Sequence, residues 1–193
     1  MAPRLPHPDD PHPLSGGMVP GFEQMLDRAR KVTDATGCPV VGGIAAILHG
    51  TGRTTRDIDI YSSDFKATHE AMLAAGFKWN AKRREHIVDD VPVHFVADDS
   101  LGGPPKKVST IKGIKVISLA DLIRGKLTVG LEAIHRAKDI GDVVELIQNV
   151  PLKKDFAAKL PKHLRQPFKE LVDQVHGKRH TYLPAAKFWK KYA

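Results

Sequence analysis

An α+β fold is what this chain of 193 residues predicts: a small mixed sheet flanked by helices, followed by a helical C-terminal part. Three observations carry that prediction. Apolar residues recur at helical spacing from Phe22 to Val32, they alternate with period two on both sides of Asp89-Asp90, and beyond Ser118 the pattern is helical. The segments that follow are a leader over 1–20, an α/β core over 21–117 and a helical region with a basic tail over 118–193. The leader, MAPRLPHPDDPHPLSGGMVP, is proline-rich and nearly free of large apolar side chains, so it predicts a flexible segment that buries no core.

From Gly21 the positions Phe22, Met25, Leu26, Ala29 and Val32 predict a helix that stops at Gly37. CPVV, residues 38–41, reads as a short buried strand, Gly42-Gly43 as a tight turn, and IAAILHG as a short helix. RDIDIYS is the next strand. With a period of two, Ile58 and Ile60 face one side while Asp57, Asp59 and Tyr61 face the other. Residues 64–75 read as a helix closed by Gly76, and FKWN as a strand. REHIVDDVPVHFVAD predicts an antiparallel hairpin turning at Asp89 and Asp90. Gly102, Gly103, Pro104 and Pro105 mark a polar loop before the strand IKVIS. Ser118 and Asp121 make a capping-box pattern for the helix LADLIRGKLTVGL. Further helices are expected over about 134–148 and, after Pro151, through a basic stretch ending near Gly177.

Hydrophobic content of 41% and charged content of 27% are ordinary for a globular protein. The single cysteine, Cys38, excludes an internal disulfide framework. Neither a signal-peptide pattern nor an apolar run of membrane-spanning length is present, which predicts a reduced, cytoplasmic protein with no membrane partner. The net charge of +8 is unevenly placed. Residues 1–150 hold 19 basic and 19 acidic side chains, whereas residues 151–193 hold 11 and 3, so the surplus lies wholly in the C-terminal region. A polyanion such as nucleic acid would be drawn there by counterion release; a solvated face that only aids solubility is the alternative.

The run VVGGIAAILHGTGRTTRDIDIYSSD carries the chemistry. Asp57 and Asp59 project from one face of a strand with their carboxylates a few Å apart, where they repel unless a cation joins them. Mg²⁺ accepts one or two carboxylates together with phosphate oxygens and water. Gly42 and Gly43 would let the backbone approach a phosphate closely, with the positive end of the next helix beside it.

The ordered combination of glycine pair, short helix, Arg53, Thr55 and a strand bearing Asp57 and Asp59 resembles the nucleotidyltransferase superfamily, of DNA polymerase β-like fold. With His49-Gly50 included, GGIAAILHGTGRTTRDIDI looks like the abortive-infection AbiEii/AbiGii toxin branch and its relatives. A second stretch, ISLADLIRGKLTVGLEAIHRAKDIGDVVELI, is similar to that branch's helical segment and sets Lys126, Arg136, Lys138, Asp139 and Asp142 in its lysine and Arg-x-x-Asp slots. The resemblance covers roughly residues 40–147. It implies Mg²⁺ or Mn²⁺ as cofactor on Asp57 and Asp59, a nucleoside triphosphate contacted by Gly42, Gly43, Arg53, Thr55 and Lys126, and catalytic roles for Asp57, Asp59, Lys126 and Asp139. Together with the basic C-terminal region it implies an RNA acceptor, transfer RNA first, with a protein hydroxyl as the second choice, and it allows an antitoxin protein as partner.

One position departs from the pattern. Many superfamily members carry a third metal-binding aspartate on the second strand of the hairpin, where this chain has His94. Histidine is a poor Mg²⁺ ligand. Three outcomes stay open: Asp139 or Asp98 completes the site, the site takes a metal more tolerant of imidazole such as Mn²⁺, or catalysis is lost; the first is the expectation. Other residues have structural readings. Lys126 and Arg136 could be helix-surface charges, His49 a hydrogen-bonded core histidine, and Arg53 the partner of an aspartate across its loop.

Overall fold

The computed structural model describes residues 21–177. The leader over 1–20 and the tail from 178, with Lys187, Lys190 and Lys191, lie outside the described residues. Six helices and six strands follow in the order α1 (Phe22–Thr36), α2 (Gly42–Leu48), β1 (Ile58–Tyr61), α3 (Phe65–Ala74), β2 (Lys78–Asn80), β3 (Glu85–Val88), β4 (Val91–Val96), β5 (Val108–Ile111), β6 (Ile114–Ile117), α4 (Leu119–Glu132), α5 (Ala137–Asn149) and α6 (Lys162–His176). The α+β class is therefore as the sequence predicts.

Helix α1 buries Met25, Leu26, Ala29 and Val32, the helical-period positions, and ends where Gly37 turns left-handed at φ 72°. Phe22, the first of that set, stays exposed. Strands β1 to β4 form one sheet in the order β1-β4-β3-β2. β3 and β4 are the expected hairpin, and Asp89 and Asp90 take φ of 46° and 67°, the two positive values a two-residue primed turn requires. The tip is fastened to α1, since Lys31 donates to the Asp89 carboxylate at 2.7 Å and Arg28 to the Asp89 carbonyl at 3.1 Å. β1 pairs with β4 in parallel, with Asp59 opposite His94.

Three local readings are corrected. CPVV is no strand: Val40 alone bridges to Ile60 on one side and Val116 on the other, so this residue joins the four-stranded sheet to the β5–β6 hairpin. Gly42-Gly43 is no separate turn, because both residues already belong to the first turn of α2 after an extended Val41. β5 was expected as loop; its sequence VSTI buries no residue fully, which leaves no apolar alternation to read. At the start of α4 the Ser118 hydroxyl accepts from the Asp121 amide at 3.2 Å, which is half of the expected capping box. The other half is replaced: the Asp121 carboxylate receives the Lys106 and Lys107 amides and ties the preceding loop down.

The buried apolar side chains form one cluster running from Met25 under the sheet to Phe168 and Val172 of α6. Ile58, Ile60, Val88, Val91 and Val93 enter it from one face of the sheet. By strand alternation Asp59 and His94 stand on the opposite face. Among the described residues no helix is long and apolar enough to cross a membrane.

Candidate metal centre and its charge network

Asp57 sits just before β1 and Asp59 on it, and the parallel register of β1 with β4 sets His94 next to Asp59. One ligand atom from each of Asp57, Asp59 and His94 lies within 4.8 Å of the others. His94 Nδ1 is 3.5 Å from Asp59 Oδ1 and 3.9 Å from Asp57 Oδ2. On its far side His94 Nε2 lies 3.3 Å from Glu85 Oε2, a buried carboxylate on β3. The Asp59 hydrogen bond, with the charges of Asp59 and Asp57 and the Glu85 hydrogen bond, outweighs burial and pushes the imidazole up to about 9. In the metal-free protein His94 is thus a cation held among three carboxylates at neutral pH.

The neighbouring segments hold this pair in place. The Thr55 hydroxyl donates to Asp57 Oδ1 at 2.8 Å. Gly42 has φ 56°, and a Cβ there would come within 2.1 Å of Asp59 Oδ2; a Cβ on Gly43 would come within 2.6 Å of the Thr55 hydroxyl. The glycine pair is therefore required by the closeness of Asp59 and Thr55 to the α2 backbone, a reason visible without any phosphate.

A second group of charges runs beside the first. Arg53 Nη1 donates to both oxygens of Asp142, at 2.7 and 2.5 Å. Lys126 Nζ meets Asp142 at 2.5 Å and Asp139 at 2.9 Å. Arg136 Nε is 2.8 Å from Asp139 Oδ2, but without hydrogen-bond alignment, so it is a charge contact only. Lys126, Asp139 and Asp142 are all buried. Burial opposes the charge of Asp142, yet the Arg53 and Lys126 contacts prevail and hold its carboxyl below the usual range. Burial likewise opposes Arg53, and Asp142, with Asp57 and Asp139 beyond it, raises its pKa on balance. Three cations thus share two anions, leaving one surplus positive charge next to the Asp57–Asp59 pair.

The residues singled out from sequence separate as follows. Asp57, Asp59, Thr55, Gly42 and Gly43 come together around the candidate metal position. Arg53, Lys126, Asp139 and Asp142 form the adjoining network, so Lys126 is no surface charge, and Arg53 has its aspartate partner in Asp142. Asp139 is turned to Lys126 and Arg136, and among the described residues the grouping that could hold a metal consists of Asp57, Asp59 and His94, without Asp139 or Asp98. Asp98 instead accepts from Tyr61 Oη at 2.8 Å. Lys138 is exposed. His49 is the hydrogen-bonded histidine of its structural reading: Nε2 donates to the Ile117 carbonyl at 2.8 Å, and burial lowers its pKa. Glu85 was missed, although a two-residue turn at 89–90 counts it back opposite His94.

No protein-family model matches the chain, and no curated protein matches it. Among solved structures, it is similar to a Helicobacter pylori protein provisionally described as a nucleotidyltransferase, at 16% identity and TM-score 0.48 over 80% of this chain and 79% of that one. It is also similar to JHP933 from Helicobacter pylori, at 16%, 0.47, 79% and 77%. A third likeness is to an antigenic nucleotidyltransferase-like protein from Paracoccidioides brasiliensis, at 15%, 0.45, 78% and 89%. At TM-scores below 0.5 these likenesses place the chain in no family, and the functional reading rests on its own residues.

Proposed function

We propose that this protein is a metal-dependent nucleotidyltransferase that moves a nucleoside monophosphate from a triphosphate to an acceptor hydroxyl, with RNA as the acceptor class. The observation that carries the reading is the Asp57–Asp59 pair with an adjoining net cationic network whose Arg53 interacts with the charge of Asp57. Two adjacent carboxylates fit a divalent cation by donor type and spacing, and the metal-free alternative already fills their neighbourhood with the His94 cation. A bound divalent ion would supply charge neutralisation of the triphosphate during in-line displacement at the α-phosphorus.

The chain's own groups do the remaining work. Thr55 orients Asp57, while Gly42 keeps the α2 backbone close to Asp59 and Gly43 keeps it close to Thr55. The acceptor hydroxyl loses its proton to solvent as its oxygen bonds to the α-phosphorus and the bond to the bridging oxygen of pyrophosphate breaks, so negative charge gathers on the leaving group. Arg53, which feels the charge of Asp57 as well as its partner Asp142, would meet that charge, while Lys126 and Arg136 would sustain it electrostatically through Asp142 and Asp139. The basic C-terminal region supports RNA as acceptor, transfer RNA first, and the AbiEii-like motif supports a toxin role with an antitoxin partner. In the test, each of the four α-labelled triphosphates is incubated with the protein, metal and total RNA. Label should enter RNase-sensitive material and Asp59→Asn should abolish it; label in protease-sensitive material would move the acceptor to a protein hydroxyl.

A second reading draws on a specific observation. His94 stands in place of a carboxylate and Lys126 is already doubly paired, which suits a catalytically silent module that binds RNA or a protein partner. Failure of every triphosphate to raise the melting temperature, with and without metal, would favour it.

A further inference from the structure

His94 differs from Asp57 and Asp59 in that each of its ring nitrogens faces a carboxylate. Nδ1 looks toward Asp59 and Asp57, at 3.5 and 3.9 Å, while Nε2 looks the other way to Glu85 at 3.3 Å. Glu85 is 5% exposed, and its Oε1 lies 3.8 Å from Arg83, so its Oε2 is the atom turned to the imidazole. A histidine that ligates a metal through one nitrogen commonly donates its other N–H to a carboxylate, which fixes the tautomer, holds the ring and makes the ligating nitrogen more basic. The line Asp59–His94–Glu85 has that order. Once a metal ion displaces the Nδ1 proton, Nε2–H stays with Glu85 and the freed Nδ1 lone pair faces the space between the two aspartates.

We propose that His94 Nδ1 is the third protein ligand of this centre, that Glu85 is its positioning residue, and that the resulting two-oxygen, one-nitrogen set takes a first-row transition-metal dication in preference to Mg²⁺. The inference rests on the Asp57–Asp59 site proposed above. Mg²⁺ favours an all-oxygen octahedron and gains little from imidazole, whereas nitrogen affinity rises along the series from Mn²⁺ to Co²⁺. Co²⁺ and Mg²⁺ are nearly equal in size, so the part of their difference that is lost with the imidazole reports the nitrogen and not the width of the site.

The test uses the full-length protein and metal ions alone. Pulsed electron paramagnetic resonance of bound Mn²⁺ should show coupling to one imidazole nitrogen in the wild type and none in His94→Ala. By isothermal titration the wild type should bind Co²⁺ at least about tenfold more tightly than Mg²⁺, and His94→Asp should narrow that gap by strengthening Mg²⁺ binding and weakening Co²⁺ binding. Glu85→Gln should weaken Co²⁺ binding about tenfold and leave Mg²⁺ unchanged, the range expected for a partner of a metal-bound histidine. Bound Mn²⁺ without nitrogen coupling in the wild type, which needs no variant to fold, would overturn the role of His94. An unchanged Co²⁺ affinity in Glu85→Gln would overturn that of Glu85. Metal binding indifferent to Asp59→Asn would instead bring down the underlying Asp57–Asp59 reading, a different result from either.

Discussion

Gly42 shows how a single residue can be decisive without reacting. Its φ of 56° disfavours any side chain, and the Cβ of an alanine would fall 2.1 Å from Asp59 Oδ2. Gly42→Ala should therefore cost about 2 kcal/mol in chemical denaturation and also weaken metal binding, because Asp59 must move. Two histidines give opposite pH signs. His94 is raised in the folded protein to about 9 from an ordinary 6.5, so its stabilisation of the metal-free state is complete below 6.5 and fades as pH rises through 9. His86, packed among His69, Trp79 and Phe95, is lowered to about 4 by burial and by His69, so its neutral state is accommodated above 6.5 and stability is lost as pH falls toward 4. Melting temperature against pH should thus fall on both sides of neutrality, and His94→Gln should flatten the alkaline limb alone.

Between elements, the charge network acts as a clasp. Asp142 on α5 holds Arg53 of the loop before β1 and Lys126 of α4, while Glu145 of the same helix accepts the Gly52 amide at 2.6 Å. Removing the shared anion leaves a buried ammonium and a half-buried guanidinium with one fewer partner. Asp142→Asn should accordingly lower stability by about 3 kcal/mol, whereas Ala at exposed Lys138 should change it by less than about 0.5 kcal/mol. Urea unfolding of the two variants against the wild type measures both. Equal effects would mean that solvent reaches the network more freely than its burial suggests.

At the scale of the whole molecule, the surplus charge and the centre are separate features to be joined by an acceptor. The surplus over residues 151–193 equals the net +8 of the chain, and Lys187, Lys190 and Lys191 belong to it. If this region holds RNA for the centre, reversing those three lysines to glutamate should weaken RNA binding and lower the slope of log affinity against log salt by about 2 or more. Fluorescence anisotropy across a salt series reads that slope. An unaltered slope would make the lysines a solubility feature.

Local periodicity and turn chemistry were enough to place most of this chain's elements. The helical spacing of Met25, Leu26, Ala29 and Val32, the stop at Gly37 and the Asp89-Asp90 turn each depend on neighbours in sequence. For the same reason Asp57 and Asp59 could be assigned to one side of a strand before any partner was known. Tertiary structure decided what those carboxylates meet. The parallel pairing of β1 with β4 joins strands more than thirty residues apart, and it alone brings His94 beside Asp59, while the β3–β4 hairpin sets Glu85 behind it. Val40 likewise reads as part of a strand, yet only its two long-range bridges define what it does. Lys126 looks in sequence like any helical lysine; that two carboxylates from the next helix bury and neutralise it follows from how α4 and α5 pack. Sequence spacing specifies the direction of a side chain, because that is set by backbone geometry, whereas a charge's partner is set by which elements the core draws together.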